Sequence, residues 1–254
     1  MKSLGNLFYS FIAAIFFCSF VVSPALAMGG KSIIIAAASD LTFALKEIAL
    51  SFEKDTGNKV VISFGSSGML ARQIESGAPF DLFFSADSRS MEGLEKGGHI
   101  MPATLYARGV IVLAVNRRSG VEAVDLKDLS RPEIKKIAIA NPAHAPYGRA
   151  AVEALKAAGV LEAVRGKLVY GENIRQALQF VQTGDAQAGV VAISIAGVPE
   201  VYYTPIDPGL YNPIDQVAAV VKSAKEPEAA LAFIRYAVGD KGRAILKKYG
   251  FIVP

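Results

Sequence analysis

Short runs of apolar and β-branched residues alternate along this 254-residue chain with segments in which apolar residues recur every three or four positions. A strand that leads through a helix into another strand needs a crossover connection, so the pattern predicts parallel pairing with helices on both faces of a sheet. Ser32 to Ala38 is the first such run. Leu41, Ala44, Leu45, Ile48 and Phe52 follow at helical spacing, and Gly57 ends the element. Val60 to Phe64 and Leu82 to Ser85 read as further strands, Met69 to Glu75 and Arg89 to Lys96 as helices, and Val110 to Asn116 as a long strand without a charge. A second series then begins. Ile137 to Ala140, Leu168 to Tyr170 and Gly189 to Ile193 read as strands, alternating with a helix over Tyr147 to Ala158 and a helical stripe of Ile174, Ala177, Leu178 and Val181. Val217 to Val221 is one more strand, and two helices near Pro227 to Val238 and Asp240 to Tyr249 finish the chain. Two such series predict two α/β lobes. No low-complexity linker separates them, so the expectation is two short crossing segments acting as a hinge, with Val110 to Asn116 and Val217 to Val221 suited to that role. Ligands of open α/β sheets bind beyond the carboxyl ends of the strands, which places the site in a cleft between the lobes. No internal repeat is visible in the residues themselves.

Lys2, an apolar stretch from Leu7 to Val22 and the sequence Pro24-Ala25-Leu26-Ala27 read as a secretory signal peptide with an A-x-A cleavage site, covering residues 1–27. The apolar run is short for a spanning helix of roughly 20 residues. Cys18 lies within it after Phe16 and Phe17, without the small residues of a lipoprotein signal, so the mature chain has no cysteine for disulfides, thiol chemistry or zinc. The chain has 27 Lys and Arg against 23 Asp and Glu, and the basic residues form no stripe interleaved with aromatics. That excludes a nucleic-acid surface. His99 and His144 sit singly in turn-like segments with no H-x-x-x-H spacing, which gives no metal site. Gly65-Ser66-Ser67-Gly68 misplaces the second glycine of a nucleophile elbow, and neither phosphate-cradling glycine motif is present.

What remains is a pair of strand–serine–helix junctions, at Ser39 and at Ser66-Ser67-Gly68. The first turn of a helix has unpaired N–H groups and partial positive charge, and a serine adds one more donor, so two such starts make an anion site. Each serine alone also fits an ordinary helix cap. No Lys or Arg follows either serine until Arg72. Neutral donors alone suit a fully deprotonated oxyanion and reject one that carries its own proton, because that proton finds no acceptor.

The segments around these serines extend the reading. Ala36-Ala37-Ala38-Ser39, Gly65-Ser66-Ser67-Gly68-Met69-Leu70-Ala71-Arg72-Gln73-Ile74, Gly77-Ala78-Pro79-Phe80-Asp81-Leu82 through Ala86-Asp87, Asn141-Pro142 through Pro146-Tyr147-Gly148, and Tyr249-Gly250-Phe251 closely resemble, in order, the periplasmic molybdate-binding proteins (ModA family) of ABC importers. The resemblance covers essentially the whole mature chain. It implies a type II periplasmic binding protein fold: two lobes, each a mixed, mostly parallel sheet flanked by helices, with the ligand in the cleft. Residues 28–107 plus 223–254 are expected to form lobe I and residues 108–222 lobe II. By the same resemblance Ser39 and Ser67 bind molybdate or tungstate through hydroxyl and backbone N–H, and Tyr147 and Ile174 supply backbone donors. Molybdenum then enters only as the oxyanion, with no cofactor and no resident metal ion. Many members carry an oxyanion-binding tyrosine where this chain has Ala192, and the phenol of Tyr147 is expected to take its place. Asp40, beside Ser39, is expected to point away from a dianion or to cap the helix at Leu41. The implied role is that of a monomeric periplasmic receptor, not an enzyme, serving a permease and its ATPase, with sulfate rejected by cavity size. Three alternatives stay open at this point: a receptor for another tetrahedral oxyanion such as sulfate, a small secreted enzyme with Asp40 or Asp87 as its acid or base, and a secreted interaction protein with a vestigial cleft.

Overall fold

The computed structural model describes residues 30–254; the expected signal peptide lies outside them. Strand β1 (Ser32–Ala38) runs through a 3-10 turn at Ser39–Leu41 into helix α1 (Ala44–Thr56), which Gly57 ends in the left-handed conformation that glycine adopts without strain. Strand β2 (Lys59–Gly65), helix α2 (Ser67–Glu75), strand β3 (Leu82–Ser85), helix α3 (Arg89–Lys96) and strand β4 (Thr104–Gly109) complete this part of the chain. It then crosses into a second sheet through β5 (Ile111–Asn116), β6 (Ile137–Ala140), helices α4 (Pro146–Ala157) and α5 (Leu161–Val164), β7 (Leu168–Gly171), α6 (Ile174–Thr183), β8 (Ala188–Ala192), α7 (Ile193–Ala196) and β9 (Val201–Pro205). Strand β10 (Ile214–Val220) returns to the first sheet, and α8 (Pro227–Val238) and α9 (Asp240–Lys248) pack on it.

The two sheets have the same plan. Their strand orders are β2-β1-β3-β10-β4 and β7-β6-β8-β5-β9, so a repeat invisible in the residues is present in the topology. Each has two parallel pairings, from crossovers, and two antiparallel ones, made by the crossing strand: β10 against β3 and β4, and β5 against β8 and β9. The sheets are therefore mixed in equal parts rather than mostly parallel. One boundary also moves: β10 pairs with β3 and β4, so residues 214–222 belong with lobe I and not with lobe II. The crossings are the residues beside the expected hinge strands, Gly109–Val110 and the segment from Ile206 to Pro213, because β5 and β10 are both interior strands paired on two sides.

The first sheet is buried on both faces. One face packs Phe52, Phe84 and Phe233 edge to face, with centroids 5.1 and 5.8 Å apart, and the other meets Leu70, Ile74, Met91 and Leu94 of α2 and α3. In-register pairing then positions the loops. Ala38 lies opposite Gly65 in β1 and β2, and Ala140 lies opposite Gly171 in β6 and β7. Strands that end level present their following turns side by side. Each sheet thus carries two helix starts at one edge: Ser39 and Ser67 in the first lobe, Tyr147 and Ile174 in the second.

Candidate functional site

Those four residues line one cavity between the lobes. In this closed form its volume is about 10 Å³, space for about one water molecule and far too little for a sugar or an amino acid. Neither serine is a helix cap. Ser39 and Ser67 are each the first residue of their helical turn, and the capping positions before them, Ala38 and Ser66, make no side-chain cap hydrogen bond. Ser67 Oγ accepts the Ala86 N–H at 2.9 Å, which occupies a lone pair and directs its own proton elsewhere. In the second lobe Pro146 has no N–H, and the N–H groups of Gly148 and Arg149 turn back to the Ala145 carbonyl; Tyr147 N–H is the donor left over. At α6 the Asn173 side chain accepts from Arg175 and Gln176, and Ile174 N–H is likewise spared. The site is two hydroxyls and the first amides of four helical turns. No lysine or arginine lines it.

Asp40 is the one charged side chain that does. The expectation that it points away is overturned: it is fully buried, and its Oδ2 accepts from Tyr147 Oη at 2.9 Å and Gln216 Nε2 at 2.7 Å. Gln216 Nε2 also donates to Tyr147 Oη, and Tyr106 Oη donates to Gln216 Oε1 at 2.6 Å. A phenol has a single proton, and that of Tyr147 is committed to Asp40. The phenol therefore does not stand in for the tyrosine absent at Ala192; it joins the lobes beneath the cavity. The amides of Asp40 and Leu41 lie close to the carboxylate, which is the part of the capping expectation that the fold retains. Burial pushes the Asp40 carboxyl up to about 6, opposed by the hydrogen bonds from Gln216 and Tyr147. Burial, and then the charge of Asp40, hold both phenols well above their usual range. Asp87 pairs instead with Arg149 and does not reach the cavity.

The chain matches the family described as bacterial extracellular solute-binding protein over residues 33–252. The molybdate-binding protein ModA of Azotobacter vinelandii is 40% identical over 228 residues, covering 85% of this chain and 88% of that protein. The chain belongs to the ModA family of bacterial extracellular solute-binding proteins. The solved structure of the Azotobacter vinelandii periplasmic molybdate-binding protein superposes with a TM-score of 0.81 at 33% identity, covering 87% of this chain and 99% of that one. A Bacillus subtilis relative, 34% identical over 85% of each chain, has a name that describes an ABC transporter substrate-binding lipoprotein. These relatives of the ModA-family protein are named as binding proteins rather than enzymes, the Bacillus one as the substrate-binding part of an ABC transporter.

In this ModA-family structure the lobes are shut over the cavity. Gly68 N–H donates to the His144 carbonyl at 3.0 Å, Ser66 Oγ meets His144 Nδ1 at 2.9 Å, Ser194 Oγ donates to the Asp40 carbonyl at 2.8 Å, and Arg149 pairs with Asp87. His144, a single histidine in a turn-like segment of the sequence, is part of the closure; burial and then Arg72 hold its imidazole below the usual range. Nothing in its own turn revealed this, since its partner is 78 residues away. Gln216, next to Asp215 at the polar start of β10, gave no signal of its role. A Cβ at Gly68 would stand 2.9 Å from the His144 carbonyl oxygen, a contact that exists only when the lobes close. Gly68→Ala is therefore expected to weaken ligand binding about tenfold, the equivalent of ~1.4 kcal/mol, without lowering the melting temperature of the free protein, because alanine is the better helix former. Calorimetry beside a thermal melt checks this; wild-type affinity in the variant contradicts it.

Proposed function

We propose that this protein captures molybdate, with tungstate as an equivalent ligand, outside the cytoplasm and delivers it to the permease of an ABC importer and its ATPase. It acts as a monomer after removal of residues 1–27. The observation that carries the reading is the convergence of four helix starts, two from each lobe, on one small cavity. Ser39 and Ser67 bind anion oxygens through hydroxyl and amide, and Tyr147 and Ile174 through amides; none of them touches the metal itself. Each lobe holds half of the donors, so the anion stabilises the closed form by bridging them. Because the donors hang from sheet ends, the cavity does not contract around a smaller anion, and hydrogen bonds to sulfate lengthen and weaken.

The test is a calorimetric and thermal-shift panel on residues 28–254 with molybdate, tungstate, sulfate, phosphate and chromate. Molybdate and tungstate are expected to bind tightly, each stabilising the fold by about 4 kcal/mol at a thousandfold excess over Kd. Equal affinity for sulfate and molybdate overturns the proposal.

A further inference from the structure

We infer that Asp40 holds a proton in the liganded protein and donates it to the bound oxyanion, so that the site takes up one proton with its ligand; this rests on the oxyanion reading given above. Asp40 is fully buried and, among the described residues, is the only charged one lining the cavity. Its two oxygens differ. Oδ2 has two donors, Tyr147 Oη and Gln216 Nε2, while Oδ1 is buried and makes no well-formed hydrogen bond among the described residues, although the amides of Asp40 and Leu41 lie close to the carboxylate. A buried acceptor left in that state is costly, and beside an anion it is also repulsive. A proton on Oδ1 removes both defects. It cancels the carboxylate charge and makes Oδ1 a donor in a site otherwise made of donors. The proton comes from hydronium or a buffer acid, whose bond to it breaks as the Oδ1–H bond forms; it stays on Asp40 and is hydrogen-bonded to the anion.

The surroundings leave Asp40 as the group that titrates. The ionisable groups facing it are the phenols of Tyr147 on α4 and Tyr106 on β4, both neutral. Charged side chains on the elements packed around its turn are engaged elsewhere. On α1, Lys46 lies over the Phe64 ring and Glu47 binds Lys248 and Tyr249. On α6, Arg175 binds Gln182 and lies over the Phe43 ring. On β10, Asp215 pairs with Arg108. His144 is turned to Ser66, and α7 offers only the Ser194 hydroxyl, which binds the backbone carbonyl of Asp40.

The sign of the effect follows. Burial places the free carboxyl at about 6, and a neighbouring dianion raises it further, so binding takes up a proton wherever the free protein is ionised. Affinity then falls about tenfold per pH unit above about 6 and levels off below about 5. The shared proton also favours anions whose oxygens are more basic. Molybdate exceeds sulfate in this respect, a source of discrimination separate from size.

The experiment is calorimetry with sodium molybdate near pH 8 in two buffers of different ionisation enthalpy, on the wild type and on Asp40→Asn. The expected wild-type result is uptake of close to one proton. The Asp40→Asn variant, with an amide donor in place of the acid, is expected to take up none, to bind at least as tightly near pH 8, and to lose the pH dependence. The wild-type proton count stands even if the variant fails to fold. Molybdate binding without proton uptake in the wild type, or uptake retained in Asp40→Asn, overturns the inference alone. No molybdate binding at any pH overturns the oxyanion reading and this inference with it.

Discussion

The double variant Ser39→Ala, Ser67→Ala is expected to bind molybdate about 10²–10⁴-fold more weakly than the wild type, because two hydroxyl bonds to a charged ligand contribute about 1.5–3 kcal/mol each. The single variants separate binding from folding. Ser39 makes no helix-cap bond, so Ser39→Ala loses affinity and leaves the melting temperature of the free protein unchanged. Ser67 Oγ accepts the buried Ala86 N–H, so Ser67→Ala also costs about 1–3 kcal/mol of stability. If these serines served only as caps, both variants would lower the melting temperature and neither would change affinity at a temperature where they are folded. Double-variant affinity within a few-fold of wild type would sink the assignment of Ser39 and Ser67 as ligands.

Asp81→Ala is expected to have the largest effect on stability, and none on the cavity. The Asp81 side chain is buried in the first lobe and accepts three backbone amides from distant parts of the chain: Ile34 at 2.8 Å, Lys225 at 2.7 Å and Glu226 at 3.3 Å. It ties β1 to the entry of α8, whose capping position, Glu226, makes no side-chain cap bond of its own. Alanine leaves all three donors without a partner, at about 1–3 kcal/mol each where they are shielded from water. A loss of at least about 3 kcal/mol corresponds to a fall of roughly 6–12 °C in melting temperature for a chain of this size. Molybdate affinity measured well below the transition should remain that of the wild type. A melting temperature within about 2 °C of wild type would show that water satisfies these amides.

These two results bear on what the sequence made legible. Asp81 sits within one of the segments that carry the family resemblance, yet it is a structural tie, while Ser39 and Ser67 line the cavity. A motif read along the chain does not distinguish the two kinds of residue. Strand–helix alternation was legible because buried strands such as Ile111–Asn116 are apolar up to their last residue. Thr104–Gly109 and Val201–Pro205 escaped notice for the opposite reason: both are edge strands with an exposed, partly polar side, and the second ends in proline. The lobe assignment of β10 escaped too, since its antiparallel pairing with β3 spans more than 130 residues and leaves no local trace. At the site, the helix starts at Ser39 and Ser67 were readable from strand ends and serines, and those at Tyr147 and Ile174 were assigned to it through the family resemblance. The orientation of Asp40 was not, because Tyr147, Gln216 and Tyr106, which surround it, come from two lobes and three separate segments.

The level strand ends that set Ser39 beside Ser67 and Tyr147 beside Ile174 also make the binding site a gauge cut into the backbone. Substitutions around its rim change how firmly an anion is held, but not the spacing of the jaws. Retuning the gauge for a larger or smaller anion requires lengthening or shortening a strand, and one residue of strand moves a jaw by about 3.3 Å and turns its side chains to the opposite face. Ligand size in this architecture therefore changes in coarse steps, through insertions and deletions at sheet ends, and an engineer seeking a receptor for a new oxyanion should vary strand length before side chains.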